Sequence, residues 1–584
     1  MIIAEELFDR IVALIQLEEH RAPEVTGMLY DTLKLACREA LSNNRELFGN
    51  LFSQVDYLSR KYSMHLRDVV AIQKMRSETR TGMQFSSKEL LSHARALSIF
   101  ISTIFQTAIP TRLNHLLPRV YYISKAKREI NYRRIRALVL SVQSDAFKVR
   151  CEQFEDIKEM TVPLNEPHLL YLSTLLQEGM QVNLLDCNVE NDVIETALVV
   201  VNPDFLLDIS SIARCFTDWG HHPLSYTYNR LSPSANSKAI LLGNYSGVAL
   251  DDIINKKEHY SWQDSLKKSF SKKALEYCTC GDMNVGDDFK HSAQQQSSNI
   301  QQIVDELFHS EKTSFDESKA ILEPSFICEE LGIQGRVDLM TTDFKLLIEQ
   351  KSGGNFNIER GIINKYGSYQ REDHYVQLLL YYGVLQHNFR LGRNDIDIRL
   401  LYSKYPLPGG LVVVAFYQQL FREAIEFRNR VVVNEIAVAQ QGFGSILTEL
   451  TPFTLNANKL TSSFYQRYIQ PQQNRVLEPL QQLSPLEKAY FNRMMTFVYR
   501  EQASSKTSEN EGHGGCQADL WSMPLSEKRD AGNIYTGLVI VKKERSDATS
   551  GIDLLTFEIT EHDPYFLPNF RKGDSVCLYT YLKD

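Results

Sequence analysis

No run of about 18 apolar residues occurs in the chain, so no membrane-spanning helix is expected. No G-x-x-x-x-G-K-[ST] stretch occurs either, and without that phosphate-cradling loop no nucleotide motor is expected in these residues. The nine cysteines stand at 37, 151, 187, 215, 278, 280, 328, 516 and 577. None forms a C-x-x-C pair, which argues against zinc ribbons, and an odd scatter gives no disulfide framework. Basic residues are not in excess: 64 Lys and Arg against 72 Asp and Glu leave a net charge of −8. A nucleic-acid partner would need a local basic face rather than a basic total. The opening residues, MIIAEELFDRIVALIQLEE, carry acids where a secretion signal is basic. A cytoplasmic, intracellular protein is therefore expected.

What is present divides the chain. A length of 584 residues exceeds what one hydrophobic core organises and suggests roughly three or four domains. The pattern predicts an α+β multidomain protein. A helical domain is expected over 1–118, from apolar positions three and four apart in EELFDRIVALIQL and KELLSHARALSIFISTIF, with a helix start at Ser86–Glu89. Alternation in RIRALVLSVQSDAFKVRCEQF and MQVNLLDCNVENDVIETALVVV predicts a small β-barrel-like domain over 119–200. A core of mixed sheet and helices follows over 201–502, with a short helix capped by Asp208 and another opening at Gly243–Gly247. Ser484, Pro485 and Glu487 form a capping box for a helix that ends near 502. A flexible polar linker is expected over 503–531, and a second β-barrel-like domain over 532–584.

Several features read in two ways. Arg119 to Arg136 holds seven basic residues, one acid and three tyrosines. Such a run can track phosphates and stack bases, or it can be a solvated charged face. The adjacent His221 and His222 suit surface or capping roles better than a shared metal ion.

The chemistry concentrates between Pro324 and Tyr382. FICEELGIQGRVDLMTTDFKLLIEQKSG predicts three short strands, with Thr342-Asp343 turning the last hairpin. Asp338 and Glu349 then lie on adjacent strands, and Lys351, two residues beyond Glu349, shares its face. Two carboxylates and the backbone carbonyl of Gln350 suit a hard cation, Mg²⁺ or Mn²⁺. Lys351 could neutralise charge building on a phosphate. A structural salt bridge on a hairpin would use the same residues. A helix follows in which Gln377 and Tyr381 share one face a turn apart, preceded by Lys365, Arg371 and His374, which could meet phosphates.

Taken together these motifs resemble the RecB-like branch of the PD-(D/E)XK nucleases. The family's G-x-x-D is similar to Gly335–Asp338, its E-x-K to Glu349–Lys351 and its Q-x-x-x-Y to Gln377–Tyr381. The resemblance implies a PD-(D/E)XK core over 201–502. It implies metal binding by Asp338 and Glu349, a catalytic Lys351, and DNA positioning by Gln377 and Tyr381. Pro203–Cys215 and Asn569–Tyr579 are similar to segments flanking the nuclease of helicase–nucleases that trim DNA flaps. That narrower likeness implies single-stranded or flapped DNA as substrate, in replication, repair or defence. It also implies a helicase motor as partner, in trans or on a C-terminal extension.

Two departures qualify the resemblance. The family's G-x-x-x-H would place histidine where Gly247 follows Gly243, leaving His291 or Asp251 as possible substitutes. No cysteine falls between Cys328 and Cys516, which argues against the iron–sulfur cluster of some relatives and leaves Cys215 a small buried hydrophobe. The missing histidine keeps an alternative open: a catalytically impaired DNA-binding scaffold that guides strands to a partner helicase.

Overall fold

A computed structural model describes residues 2–17, 23–48, 50–80, 85–121, 129–154, 159–233, 236–256, 259–282, 287–310, 315–363, 369–392, 395–507, 515–544, 552, 554–561 and 565–578. The amphipathic N-terminal patterns form the helices Ile2–Gln16, Pro23–Ala40, Leu51–Lys61, Leu66–Arg80 and Ser87–Ile104. Their apolar stripes meet in a core that includes Phe8, Ile11, Leu33, Leu97 and Phe100. Ser86 and Glu89 form the reciprocal capping box at the start of the last of these helices. Between the second and third lies a two-residue strand, β1 (Leu47–Phe48).

A closed barrel follows, made of β2 (Tyr132–Val142), β3 (Ala146–Cys151), β4 (Glu159–Pro163), β5 (Gln181–Glu190) and β6 (Val193–Glu195). The strand order is β2-β3-β4-β6-β5, and β5 pairs back onto β2. Ile135, Ala137 and Val139 alternate into its interior against Phe147, Val149, Val182 and Leu184. β7 (Leu198–Val201) pairs with β5 and carries the chain out of the barrel. There Asn429, on the helix Gln418–Gln441, bonds the backbone of Val201 and Val199 through both ends of its amide.

The central layer contains β8 (Leu207–Asp208), β9 (Ala320–Leu322), β10 (Ser325–Cys328), β11 (Ile333–Arg336), β12 (Leu339–Thr341), β13 (Leu346–Lys351), β14 (Asp397–Tyr402) and β15 (Leu411–Val414). Six strands form one mixed sheet in the order β1-β15-β14-β13-β12-β9, and β10-β11-β8 form a smaller one. The period-two rule sorts β13 between two helical layers. Leu347 packs towards the helices Glu372–Phe389 and Gln418–Gln441, while Leu346 and Ile348 pack towards Lys238–Lys256 and Asp287–Phe308. A strand covered on both faces reads as a continuous apolar run, and LLI does so.

The structure is thus a mixed α/β, multidomain protein with a closed small barrel, as the pattern predicts at that level. It differs in detail. The segment expected to hold three strands holds four, β10 to β13, split between two sheets. The helix expected to open at Gly243–Gly247 begins at Lys238, so both glycines lie inside it. Asp208 stands at the N-cap of Ile209–Ala213, but its carboxylate accepts from Gln334 rather than from the helix. His221 stacks on Phe216, and His222 accepts from the Leu224 N–H, both packing and capping roles. Cys215 is buried, which pushes its thiol up to about 12.

The C-terminal part brings one correction. The residues expected as a flexible linker hold the end of the helix Pro485–Lys506 and the short helices Asp519–Ser522 and Leu525–Asp530. Trp521 donates to Asp204 at 2.8 Å and Gln517 to Gln334 at 2.7 Å, contacts too distant in sequence for local composition to reveal. Of the second barrel expected over 532–584, the described residues contain one antiparallel pair, β16 (Leu538–Glu544) with β17 (Leu554–Ile559), and 545–551, 553, 562–564 and 579–584 lie outside them. Among the described residues no helix is long and apolar enough to cross a membrane.

Candidate active site

The hairpin β12–β13 builds the site. Leu339 pairs with Ile348 in antiparallel register, so Asp338, at the bend before β12, stands across from Glu349. Alternation along β13 turns Glu349 and Lys351 to the face of the helix Glu372–Phe389 and Gln350 to the opposite face. The contacts follow that geometry. Lys351 Nζ donates to Glu349 Oε1 and to Gln377 Oε1, each at 2.8 Å. Gln350 Nε2 donates to the Ser246 carbonyl of the helix Lys238–Lys256 at 3.0 Å. Its backbone N–H donates to Asp338 Oδ2 at 2.6 Å. Asp338, Glu349, Lys351 and Gln377 are therefore gathered in one place.

Tyr381 works from beneath. It is buried, its hydroxyl donates to the Arg336 carbonyl at 2.7 Å, and its ring lies against Gly335. A Cβ at Gly335 would meet that ring at 2.8 Å, so glycine at this position lets β11 approach and swing Asp338 into place. Tyr381 also lines the cavity beside Asp338 and Gln377, though only 2% of it is exposed.

The electrostatics penalise charge on both carboxyls. Glu349 is 3% exposed. Burial first, then the neighbouring Asp338 charge, push its carboxyl up to about 8, against the opposing pull of Lys351. Asp338 is also held above the usual carboxylate range, chiefly by burial. As a carboxylate beside the Asp338 carboxylate, Glu349 would have no donor for its buried Oε2 among the described residues, whereas with a proton it can bond Asp338. A buried anionic oxygen without a partner is costly, so the position calls for a proton or a cation.

The larger of two cavities opens on both carboxylates and the smaller on Asp338 and Lys351, with Asp338 and Arg336 as their common wall. The larger, about 1820 Å³, runs towards the β16–β17 hairpin; the smaller, about 460 Å³, runs along the helix Lys238–Lys256. Arg371 and His374 stand on the smaller cavity with Lys272 and Lys273. Arg371 is tied to Asp373 at 2.7 Å, and burial pushes His374 down to about 3, so its ring is neutral. Lys365 lies outside the described residues. Gly247 lines this cavity, and a Cβ there would meet nothing within 4 Å among the described residues. Asp251, one turn on, lines it too but sits 3.7 Å from Lys268; His291 is not among the lining residues.

Arg336 was not among the sequence candidates. It is exposed, pairs with Glu323 at 3.1 Å, and borders both cavities beside Asp338. Its position two residues before the aspartate, at the end of a strand on the same side, is the signal that could have identified it. Among the described residues no group of three or more His, Cys, Asp or Glu side chains converges on one point. Compared with protein-family models and with curated proteins, the chain gives no match.

Proposed function

We propose that this chain is a divalent-cation-dependent deoxyribonuclease that hydrolyses phosphodiester bonds in single-stranded DNA ends or flaps, working with a helicase motor carried by another chain or segment. The observation that carries the proposal is the pair itself: two carboxyls, Glu349 and Asp338, held against each other at the end of a hairpin, both raised, with Lys351 bonded to Glu349. The residues fit a hard cation, Mg²⁺ or Mn²⁺. Asp338 and Glu349 would hold it, with the Gln350 carbonyl next in the same strand. A cation bound there supplies Lewis acidity and an activated water.

The chain's own residues supply the rest. Lys351, fixed between Glu349 and Gln377, offsets negative charge that builds on a phosphate in the transition state. Gln377 aims the lysine, and the buried Tyr381 with Gly335 holds the turn that presents Asp338. Arg371 and Arg336, on the cavity walls, can contact phosphates on either side. The likeness of these residues to the RecB-like nuclease motifs supports the same reading.

The test is cleavage of end-labelled single-stranded DNA with Mg²⁺ or Mn²⁺. Asp338→Ala is expected to lose roughly 10²–10³-fold in rate, as for removal of a main electrostatic group. Equal cleavage by wild type and variant sinks the proposal. One observation favours the scaffold reading: glycine, with open space before it, at position 247. Tight single-strand binding with no heat of Mn²⁺ binding in calorimetry would decide for it.

A further inference from the structure

The large cavity that reaches Asp338 and Glu349 does not end at the β16–β17 hairpin. It shares Glu329, Glu330, His387 and Arg390 with a neighbouring cavity of about 900 Å³. The two form one trough, from the carboxylate pair, past the C-terminal end of the helix Glu372–Phe389, to β2 of the barrel.

Its lining changes along the way. Near the carboxylates the wide part is walled by Phe326 and Phe389 on one side and by Tyr535 and Phe557 on the other. At the far end stand Arg133, Arg134 and Arg422, with Arg390 at the junction of the two cavities. Three acids, Asp186, Glu329 and Glu330, share that end. Two of them are matched within the protein: Glu329 accepts from Arg134 at 3.4 Å, and Glu330 pairs with His387 at 2.8 Å. Arg133 and Arg390 are exposed, and Arg133 stands near enough to Glu330 to help lower its carboxyl. Arg390 is held at φ +55° as the helix cap, which fixes its backbone at the junction of the two cavities.

An unpaired strand is held by aromatic faces that stack its bases and by cations that meet its phosphates, and the trough offers both. Arg133 and Arg134 belong to the basic, tyrosine-bearing segment 119–136, and β2 delivers them to the trough.

We propose that the trough is a binding track for single-stranded DNA, in which Arg133 of the barrel and Arg390 grip the backbone beyond the cleavage point. The barrel is then a substrate-holding module rather than a packing unit. The proposal rests on the nuclease reading for the site the track leads to.

The experiment uses the full chain in EDTA, to prevent cleavage, and fluorescence anisotropy with labelled oligodeoxythymidylates of about 6 and about 25 nucleotides, one near the low end of common single-strand site sizes and one beyond them. Wild type is expected to bind the longer probe more tightly. In Arg133→Glu/Arg390→Glu that gain disappears, with a loss of roughly tenfold or more on the longer probe and a salt slope shallower by about 1–2. Affinity for the shorter probe stays unchanged. Arg133→Lys/Arg390→Lys retains most of the gain, which separates charge from misfolding, and Arg390→Gln alone repeats the test if the double reversal unfolds. Unchanged affinity and slope on the longer probe overturn the track even if Asp338-dependent cleavage is intact. Equal binding of a blunt duplex of the same length overturns its single-strand character. Loss of the length-dependent gain in a protein without Asp338-dependent cleavage leaves the track standing and removes the nuclease reading.

Discussion

Two clusters of buried charge sit on neighbouring strands of one sheet, and they are built in opposite ways. On β14, Asp397 accepts from Arg399 at 2.9 Å and from Arg60 at 3.0 Å, and Arg399 reaches Glu46 at 3.2 Å. Burial alone would raise the Asp397 carboxyl, but the two guanidinium groups hold it below the usual range. On β13, Glu349 and Asp338 share a single lysine, both are raised, and one oxygen has no donor among the described residues. The first cluster joins the N-terminal helices to the sheet, since Arg60 and Glu46 come from that region and β1 pairs in parallel with β15 beside it. Buried charge that is fully paired acts as a structural clasp. Buried charge left incomplete is a candidate place for a ligand.

The largest expected effect breaks the clasp. Arg399→Ala leaves Asp397 and Glu46 short of a partner at a position 1% exposed, and removing one partner of a buried pair costs about 3–5 kcal/mol. The thermal midpoint should fall by several degrees, with proteolysis of the helical region appearing first. A midpoint unchanged from wild type would mean that the clasp adds nothing.

The opposite sign is expected on β13. Glu349→Gln removes a carboxyl that the fold holds at a cost, so without cation it should raise the thermal midpoint while abolishing cleavage. The pH dependence follows from the same group. Glu349 keeps its proton up to about 8 in the folded chain, whereas the unfolded chain releases it near 4.5. The folded state therefore binds the extra proton across that window. Stability is full below the lower value and is lost as pH rises through the upper one, by up to about 1.4 kcal/mol per pH unit. Melting in EDTA from pH ~5 to ~8 should show this decline in wild type and a flatter profile in the variant. Parallel profiles would remove the basis for calling this cluster incomplete.

The same contrast explains what the sequence disclosed. The carboxylate hairpin and the Gln377–Tyr381 face were readable because each depends on spacing within one element: two in a strand, four in a helix. The barrel was readable for the same reason, from alternation in β2, β3 and β5. The clasp was not, because a two-residue strand at Leu47–Phe48 carries no periodicity and Arg60 meets Asp397 across more than three hundred residues. Docking of Trp521 and Gln517 is non-local in the same way, so a Gly- and Ser-rich stretch read as linker. Phe344, at φ +58°, completes the turn that Thr342 and Asp343 begin, which turn-residue preferences alone would not select.

A smaller effect tests how the turn holds Asp338. Gly335→Ala drives a methyl into the Tyr381 ring and should cost about 1–3 kcal/mol as an overpacked contact. Cleavage should fall with it, because the turn that presents Asp338 must shift. If stability drops and cleavage does not, the turn serves packing alone.

The smallest expected effect completes the incomplete cluster. Gly247 lies inside a 19-residue helix, on the wall of the cavity that holds Asp338, and among the described residues nothing stands within 4 Å of where its Cβ would be. Gly247→His therefore introduces no clash at Cβ, and it gains a few tenths of a kcal/mol from helix propensity. An imidazole there would enter the cavity that Asp338 also lines and would offer a divalent transition metal a further ligand beside that carboxylate. Mn²⁺ affinity by calorimetry should rise by roughly tenfold, the scale of a supporting contact at a metal site. The two readings of the site then part. If the wild-type chain already binds Mn²⁺ and the added imidazole only tightens it, the carboxylate pair is sufficient for catalysis. If binding and cleavage appear only in the Gly247→His variant, the natural protein is the scaffold, and glycine at that position is what silences it.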